Sequence, residues 1–207
     1  MLRQVSICSA IIFLIAVASF SIDTLDVIGH IPGAASAAVE YSGGRLYAGA
    51  GASLFIYESE DPANMTLLGW ADFSSLVTGI VVRDDSMVFV GANHDGLYAV
   101  DASSPDFPIV ARFKMPTRNH WVADIELTSP DTVWLCDNQS LKKLYFTGDT
   151  FLVVEEYFTG SRISGADFRD TLAVVTRRTF LSGYVELYNR AGDSRSGKIF
   201  LDNEECV

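Results

Sequence analysis

The chain has 207 residues, a formal net charge of −11, 49% hydrophobic and 20% charged residues. That length supports one sizeable core without covalent staples, and the composition excludes an intrinsically disordered chain. The acidic balance excludes non-specific nucleic-acid binding, which depends on phosphate neutralisation by Lys and Arg.

Residues 1–21 differ from the rest. Arg3 precedes an apolar run from Ala10 to Ala18, and no acid appears before Asp23. This is the pattern of a secretory signal peptide, cleaved near Ala18 or Ser21. An uncleaved anchor from Val5 to Ile22 is the poorer reading, because its short, Ser- and Cys-containing core is ill-suited to ~30 Å of hydrocarbon. Export places the protein as secreted, periplasmic or at the cell surface. Membrane contact is then expected only through the signal sequence or an anchor outside this sequence. Cys136 and Cys206 remain after cleavage, and a disulfide is permitted in that compartment. Cys136 falls in a predicted interior strand, where a free thiol packs as a small hydrophobe.

From Ile22 onward the chain reads as strands of five to seven residues, rich in Val, Tyr, Phe, Leu and Ile and bounded by Gly, Pro, Asp and Ser. Residues 22–32 form a lone outer strand. Four repeats follow, at about 35–73, 76–116, 120–160 and 161–202. The first has strands at Ala37–Tyr41, Arg45–Ala50, Ser53–Ser59 and Met65–Ala71. Leu54–Pro62 superimposes without a gap on Leu97–Pro105, an offset of 43 residues. Tyr47, Phe89, Trp134 and Val174 hold one position in successive repeats. Four strands per ~40–45 residues is the size of a propeller blade. A blade with an apolar face must stack on its neighbours. The predicted fold is therefore all-β, a β-propeller of four-stranded antiparallel blades. Gly197–Leu201 gives the fourth repeat its own outer strand, which competes with residues 22–32 for one edge. Four blades in a ring and a longer array cut short are the two outcomes weighed, the second preferred because an open ring exposes strand edges.

The segment Gly96-Leu97-Tyr98-Ala99-Val100-Asp101-Ala102-Ser103-Ser104-Pro105-Asp106-Phe107-Pro108 resembles the hallmark of LVIVD-repeat proteins. Leu54–Pro62 is a weaker copy, with Glu58 for the Asp, and the third and fourth repeats keep only the apolar pattern. The resemblance implies a β-propeller in an exported protein and brings no catalytic residue with it. Asp101 and Ser103 read as turn-makers, since an Asp or Ser ending a strand accepts backbone N–H bonds two or three residues on.

Connections from an outer strand to the next blade share one end of the sheets with those between second and third strands. That end collects His94, Asp95, Arg118, Asn119, His120, Trp121, Arg162, Arg177 and Arg178, while the opposite end is rich in acids. Arg suits carboxylate or phosphate recognition and Trp suits stacking or a binding hot spot. These residues are the candidate binding site for a protein partner or a polar or anionic ligand. The plain alternative is that loops are polar because they are wet, and that Asn93–Gly96 is what a tight strand connection demands. Trp70 and Trp134 are expected between blades. Asn64-Met65-Thr66 and Asn138-Gln139-Ser140 are glycosylation sequons, of use only on a eukaryotic secretory route. No metal or cofactor site is expected, because no ligand spacing supports one. No nucleophile motif occurs, so a hydrolase or lyase acting on a carbohydrate or small ester is the second reading of function.

Overall fold

Alternating apolar runs and Gly-, Asp- and Ser-rich turns pair into antiparallel sheets with tight connections. In the computed structural model the described residues are 36–61, 63–117, 119–158, 162–169, 172–178, 183–189 and 194–201. They form sixteen strands. The first sheet holds β1 (Ser36–Ser42), β2 (Arg45–Ala50), β3 (Ser53–Glu58) and β4 (Thr66–Asp72). The second holds β5 (Val77–Asp84), β6 (Met87–Ala92), β7 (Gly96–Asp101) and β8 (Ile109–Phe113). The third holds β9 (Val122–Ser129), β10 (Thr132–Asp137), β11 (Ser140–Phe146) and β12 (Phe151–Phe158). The fourth holds β13 (Ile163–Arg169), β14 (Leu172–Arg178), β15 (Gly183–Asn189) and β16 (Ser194–Leu201). Each is a four-stranded meander in sequence order. The protein is thus all-β with four antiparallel four-stranded sheets. The fourth sheet includes β16 as its outer strand; residues 22–32, expected to compete for that edge, lie outside the described residues, as do the signal-like 1–21, Arg118 and Cys206.

Every first strand carries an irregularity near its start. The register shifts between Ser36 and Ala38, between Val77 and Gly79, and between Ile163 and Gly165; in the third sheet it shifts where Cys136 and Asp137 face Asp124 and Val122. A bulge there breaks strict alternation. It lets the first and fourth residues of a strand point the same way. Val77 and Ile80 thereby enter one core with Tyr47, Leu54 and Ile56 of the first sheet. Val122 and Ile125 join Phe89, Leu97 and Ala99 of the second. Ile163 and Ala166 meet Trp134, Cys136 and Leu141 of the third. Cys136 is free and buried, as expected.

The second sheet is covered on both faces. Val88 and Val90 point into the first core while Phe89, between them, points into the second. Such a strand reads as continuous apolar sequence because neither face meets water. Close approach also demands glycine: a β-carbon at Gly49 would stand 2.5 Å from Val77, and one at Gly91 2.9 Å from Val122.

The third-strand turns are tied to the first turns by one recurring bond. Ser59, Ala102 and Phe146 donate their backbone N–H to the carbonyls of Gly44, Ser86 and Asp131, each at 2.8 Å. Asp101 accepts from the Ser103 N–H at 2.9 Å and the Ser103 hydroxyl at 2.6 Å, which is the turn-making role expected of it. Trp134 is buried and stacks on Phe168 of the fourth sheet with centroids 4.8 Å apart. Trp70 departs from expectation. It is 55% exposed, because its neighbour Gly69 faces the second sheet against the Phe107 ring and alternation turns Trp70 the other way.

Candidate functional site

The predicted residues divide into two groups at the end of the sheets where second strands turn into third strands. The first group is built around a buried amide. Asn138 is 4% exposed. Its side-chain oxygen accepts from the Trp121 N–H at 3.1 Å, and its side-chain nitrogen donates to the Asn119 carbonyl at 3.1 Å. Its backbone N–H donates to the Trp121 carbonyl and its carbonyl accepts from the Ile163 N–H, both at 3.1 Å. Asn138 is therefore a pin holding the Asn119–Trp121 connection. Its amide nitrogen, the atom a glycan would take, is thus buried and engaged in the fold.

On this pin the aromatic and cationic groups assemble. His94, in the 3-10 turn Asn93–Asp95, stands edge-on to Trp121 at 6.1 Å, and its Nδ1 lies 3.1 Å from the His120 carbonyl. The Arg162 guanidinium covers the Trp121 ring at 4.6 Å, a cation–π geometry. Three connections from three sheets thus meet through His94, His120, Trp121 and Arg162. Arg177 and Arg178 are the last two residues of β14. They were expected in the loop beyond it; instead backbone pairing of Arg177 with Ile163 and of Arg178 with Gly183 carries the strand through them.

His120 also reaches inward, its Nδ1 3.2 Å from Asp137 Oδ2. Asp137 is fully buried. It accepts from the Gln139 and Ser140 N–H groups, each at 2.7 Å, from the Ser140 hydroxyl at 2.9 Å and from the Lys142 ammonium at 2.5 Å. Lys142 pairs in turn with Glu156 at 2.8 Å. Burial works to raise the Asp137 pKa, but the Lys142 ammonium and these amides outweigh it and hold the carboxyl below its ordinary value. Among the described residues no group of three or more His, Cys, Asp or Glu side chains has the arrangement of a metal site.

Asp95 belongs to the second group. It turns away from Trp121 to pair with Arg112 and to accept from the Tyr98 hydroxyl. Arg112 lies over the Tyr98 ring at 5.3 Å. Burial, and then the Asp95 carboxylate, push the Tyr98 hydroxyl up to about 12. Beside this trio opens a cavity of about 750 Å³, walled by Ser74, Ser75, His94, Asp95, Arg112, Lys114 and the Met115–Thr117 segment. Sequence reasoning missed Arg112, which lies within β8, and Lys114, which immediately follows it, because the loop was read as beginning only at Thr117. It missed Lys142 for a similar reason. The available signal was a charged residue at a position that the first two repeats fill with Phe55 and Tyr98.

At the opposite end the acids are largely engaged in turns. Asp84 accepts from the Ser86 N–H at 2.8 Å, and Arg83 bridges Asp84 at 3.0 Å and Asp131 at 3.2 Å.

No protein-family model matches the chain, and no curated protein matches it by sequence. Solved structures do. The crystal structure of a computationally designed protein, Ika4, is similar with TM-score 0.63 and 14% identity, over 80% of this chain and 99% of that one. Hydrazine synthase of Kuenenia stuttgartiensis gives TM-score 0.66 and 13% identity over 87% of this chain and 53% of that one. Raptor of Chaetomium thermophilum gives TM-score 0.63 and 13% identity over 79% of this chain and 16% of that one. The chain thus spans about half of the synthase chain and a small part of Raptor. At these identities the likeness is one of fold alone.

Proposed function

We propose that the protein is an exported, non-enzymatic β-propeller of LVIVD-repeat type whose loop end binds a polar or anionic ligand, free or displayed by a protein partner. Support for the blade reading comes from four sheets that stack through equivalent positions, and from the segment Gly96–Pro108. Support for export comes from residues 1–21. The observation that carries the binding reading is the cavity of about 750 Å³ beside Arg112 and Lys114. Arg112 is already neutralised by Asp95. Lys114 is exposed and makes no ion pair among the described residues, so its charge is left for a ligand, with Ser74, Ser75 and Thr117 as hydroxyl partners.

Calorimetric titration with phosphate and with a tricarboxylate tests this. Wild type is expected to bind, and Lys114→Ala to weaken binding about tenfold or more, the loss of one charge-assisted hydrogen bond. Equal affinity in the variant, or no binding by wild type at millimolar anion, would sink the reading. For a protein partner, Arg118→Ala with Trp121→Ala is the matching pull-down variant.

The second reading, a hydrolase or lyase acting on a carbohydrate or small ester, draws on the His120–Asp137 pair. Against it, the Asp137 carboxylate is shared between His120 and four other donors, namely the Lys142 ammonium, the Ser140 hydroxyl and the Gln139 and Ser140 amides. Turnover of a glycoside or ester that disappears in His120→Ala would decide for the enzyme.

A further inference from the structure

One face of the first sheet is built like an interior surface and is covered by no other sheet among the described residues. The fourth and sixth residues of each first strand decide this. In β5, β9 and β13 the fourth residue is Ile80, Ile125 or Ala166, and each packs against the preceding sheet. The sixth is Val82, Leu127 or Phe168, likewise packed there. In β1 the same positions are Val39 and Tyr41, 63% and 59% exposed. Register extends the pattern across the sheet, through Val39, Ala48, Phe55 and Trp70 in one uncharged row. Its counterparts in the second sheet are Ile80, Val90, Tyr98 and Arg112, of which the first three are buried under the first sheet.

The chain carries a complement to this face. Each interior interface receives the third residue of the preceding second strand: Tyr47, Phe89 and Trp134, all buried. The fourth sheet offers Val174 at that position, on the face turned away from the third sheet and only partly buried. The chain's own fourth sheet leaves Val39 and Trp70 exposed, so it does not supply the cover.

We propose that the fourth sheet of a second copy covers this face, and reciprocally, so that two copies join into one continuous stack. The contact continues an interface that the chain already makes three times. Its size is adequate: strands of six or seven residues in a four-stranded sheet give a face of roughly 400 Å². Two such contacts bury roughly 1,500 Å² in total, the size of a stable specific interface. A head-to-tail contact that closes after two copies also leaves no apolar face over for further addition.

Light scattering on the full-length chain is expected to give twice the mass of one chain, and Val39→Glu a single mass with unchanged far-ultraviolet circular dichroism. A second measurement does not depend on how that variant folds. In a Cys8→Ser, Cys206→Ser background, Val39→Cys and Val174→Cys chains are mixed and treated with a short bis-maleimide, the buried Cys136 staying inert. A covalent dimer is expected from the mixture and from neither variant alone. A dimer from Val39→Cys alone, meaning face-to-face pairing, would overturn the proposal. So would a single mass for wild type at all concentrations, the result if further sheets of a longer chain or another protein fill the face.

Discussion

Asp137 shows how a charge is kept in an apolar interior. Its carboxylate is fully buried, and the stabilising partners are a lysine five residues on and two amides of its own turn. Because its folded pKa lies below the ordinary value, it contributes stability above pH ~4, where the unfolded chain is ionised. That contribution is lost as pH falls through the lower folded value. Replacing Lys142 with Met removes the ammonium but leaves the carboxylate. The expected cost is about 3–5 kcal/mol at pH 7 in denaturant unfolding, the penalty of an uncompensated buried charge. The difference from wild type should shrink as pH falls below ~4, because Asp137 then protonates in both proteins. A pH-independent difference would mean that Lys142 acts through packing alone. The partnership with Lys142 was not legible beforehand, because it is the pairing of β10 with β11 that buries the two side chains together.

At the scale of strands the sequence carried much more. Arg45–Ala50 is β2 to the residue, and the gap-free copy of Leu54–Pro62 onto Leu97–Pro105 corresponds to equivalent strands β3 and β7. The shared position of Tyr47, Phe89 and Trp134 is the residue that enters the next sheet. Such matches were readable because burial on a pleated surface repeats with the strand. Trp70 was misread because composition does not say which way an outer strand turns; the Gly69–Phe107 contact does. The same pair of tryptophans separates interior from surface. Trp134→Ala is expected to cost about 3–5 kcal/mol, a large cavity between two sheets. Trp70→Ala should cost less than about 1 kcal/mol in a chain held monomeric, since half its surface is already wet. Equal losses by chemical denaturation would contradict the packing described here. The site was half legible. His94, His120, Trp121 and Arg162 were identified and do meet, whereas Arg112 and Lys114 depend on how β8 runs beside the first sheet's exit.

Among the described residues, the main contacts between sheets join neighbours in sequence order, with β1 against β5, β5 against β9 and β9 against β13. Stability in such an array is close to a sum of sheet and interface terms. The second and third sheets have two interfaces each, and Val88, Phe89, Val90, Val133, Trp134 and Leu135 are all buried. The first sheet has one interface, and its other face is the wet row ending in Trp70. Opening should therefore begin at the ends and reach the middle last. In a monomeric chain, amide hydrogen exchange is expected to be slowest in β6 and β10 and clearly faster in β2, although all three are second strands with partners on both sides. The comparison isolates face coverage from hydrogen bonding, because the ladders are equivalent. Raising the concentration until two copies associate should then slow β2 specifically, with β6 and β10 little changed. Uniform exchange across the second strands of the monomer would mean that the sheets unfold as one unit, and that covering the outer face adds nothing to the stability of the first.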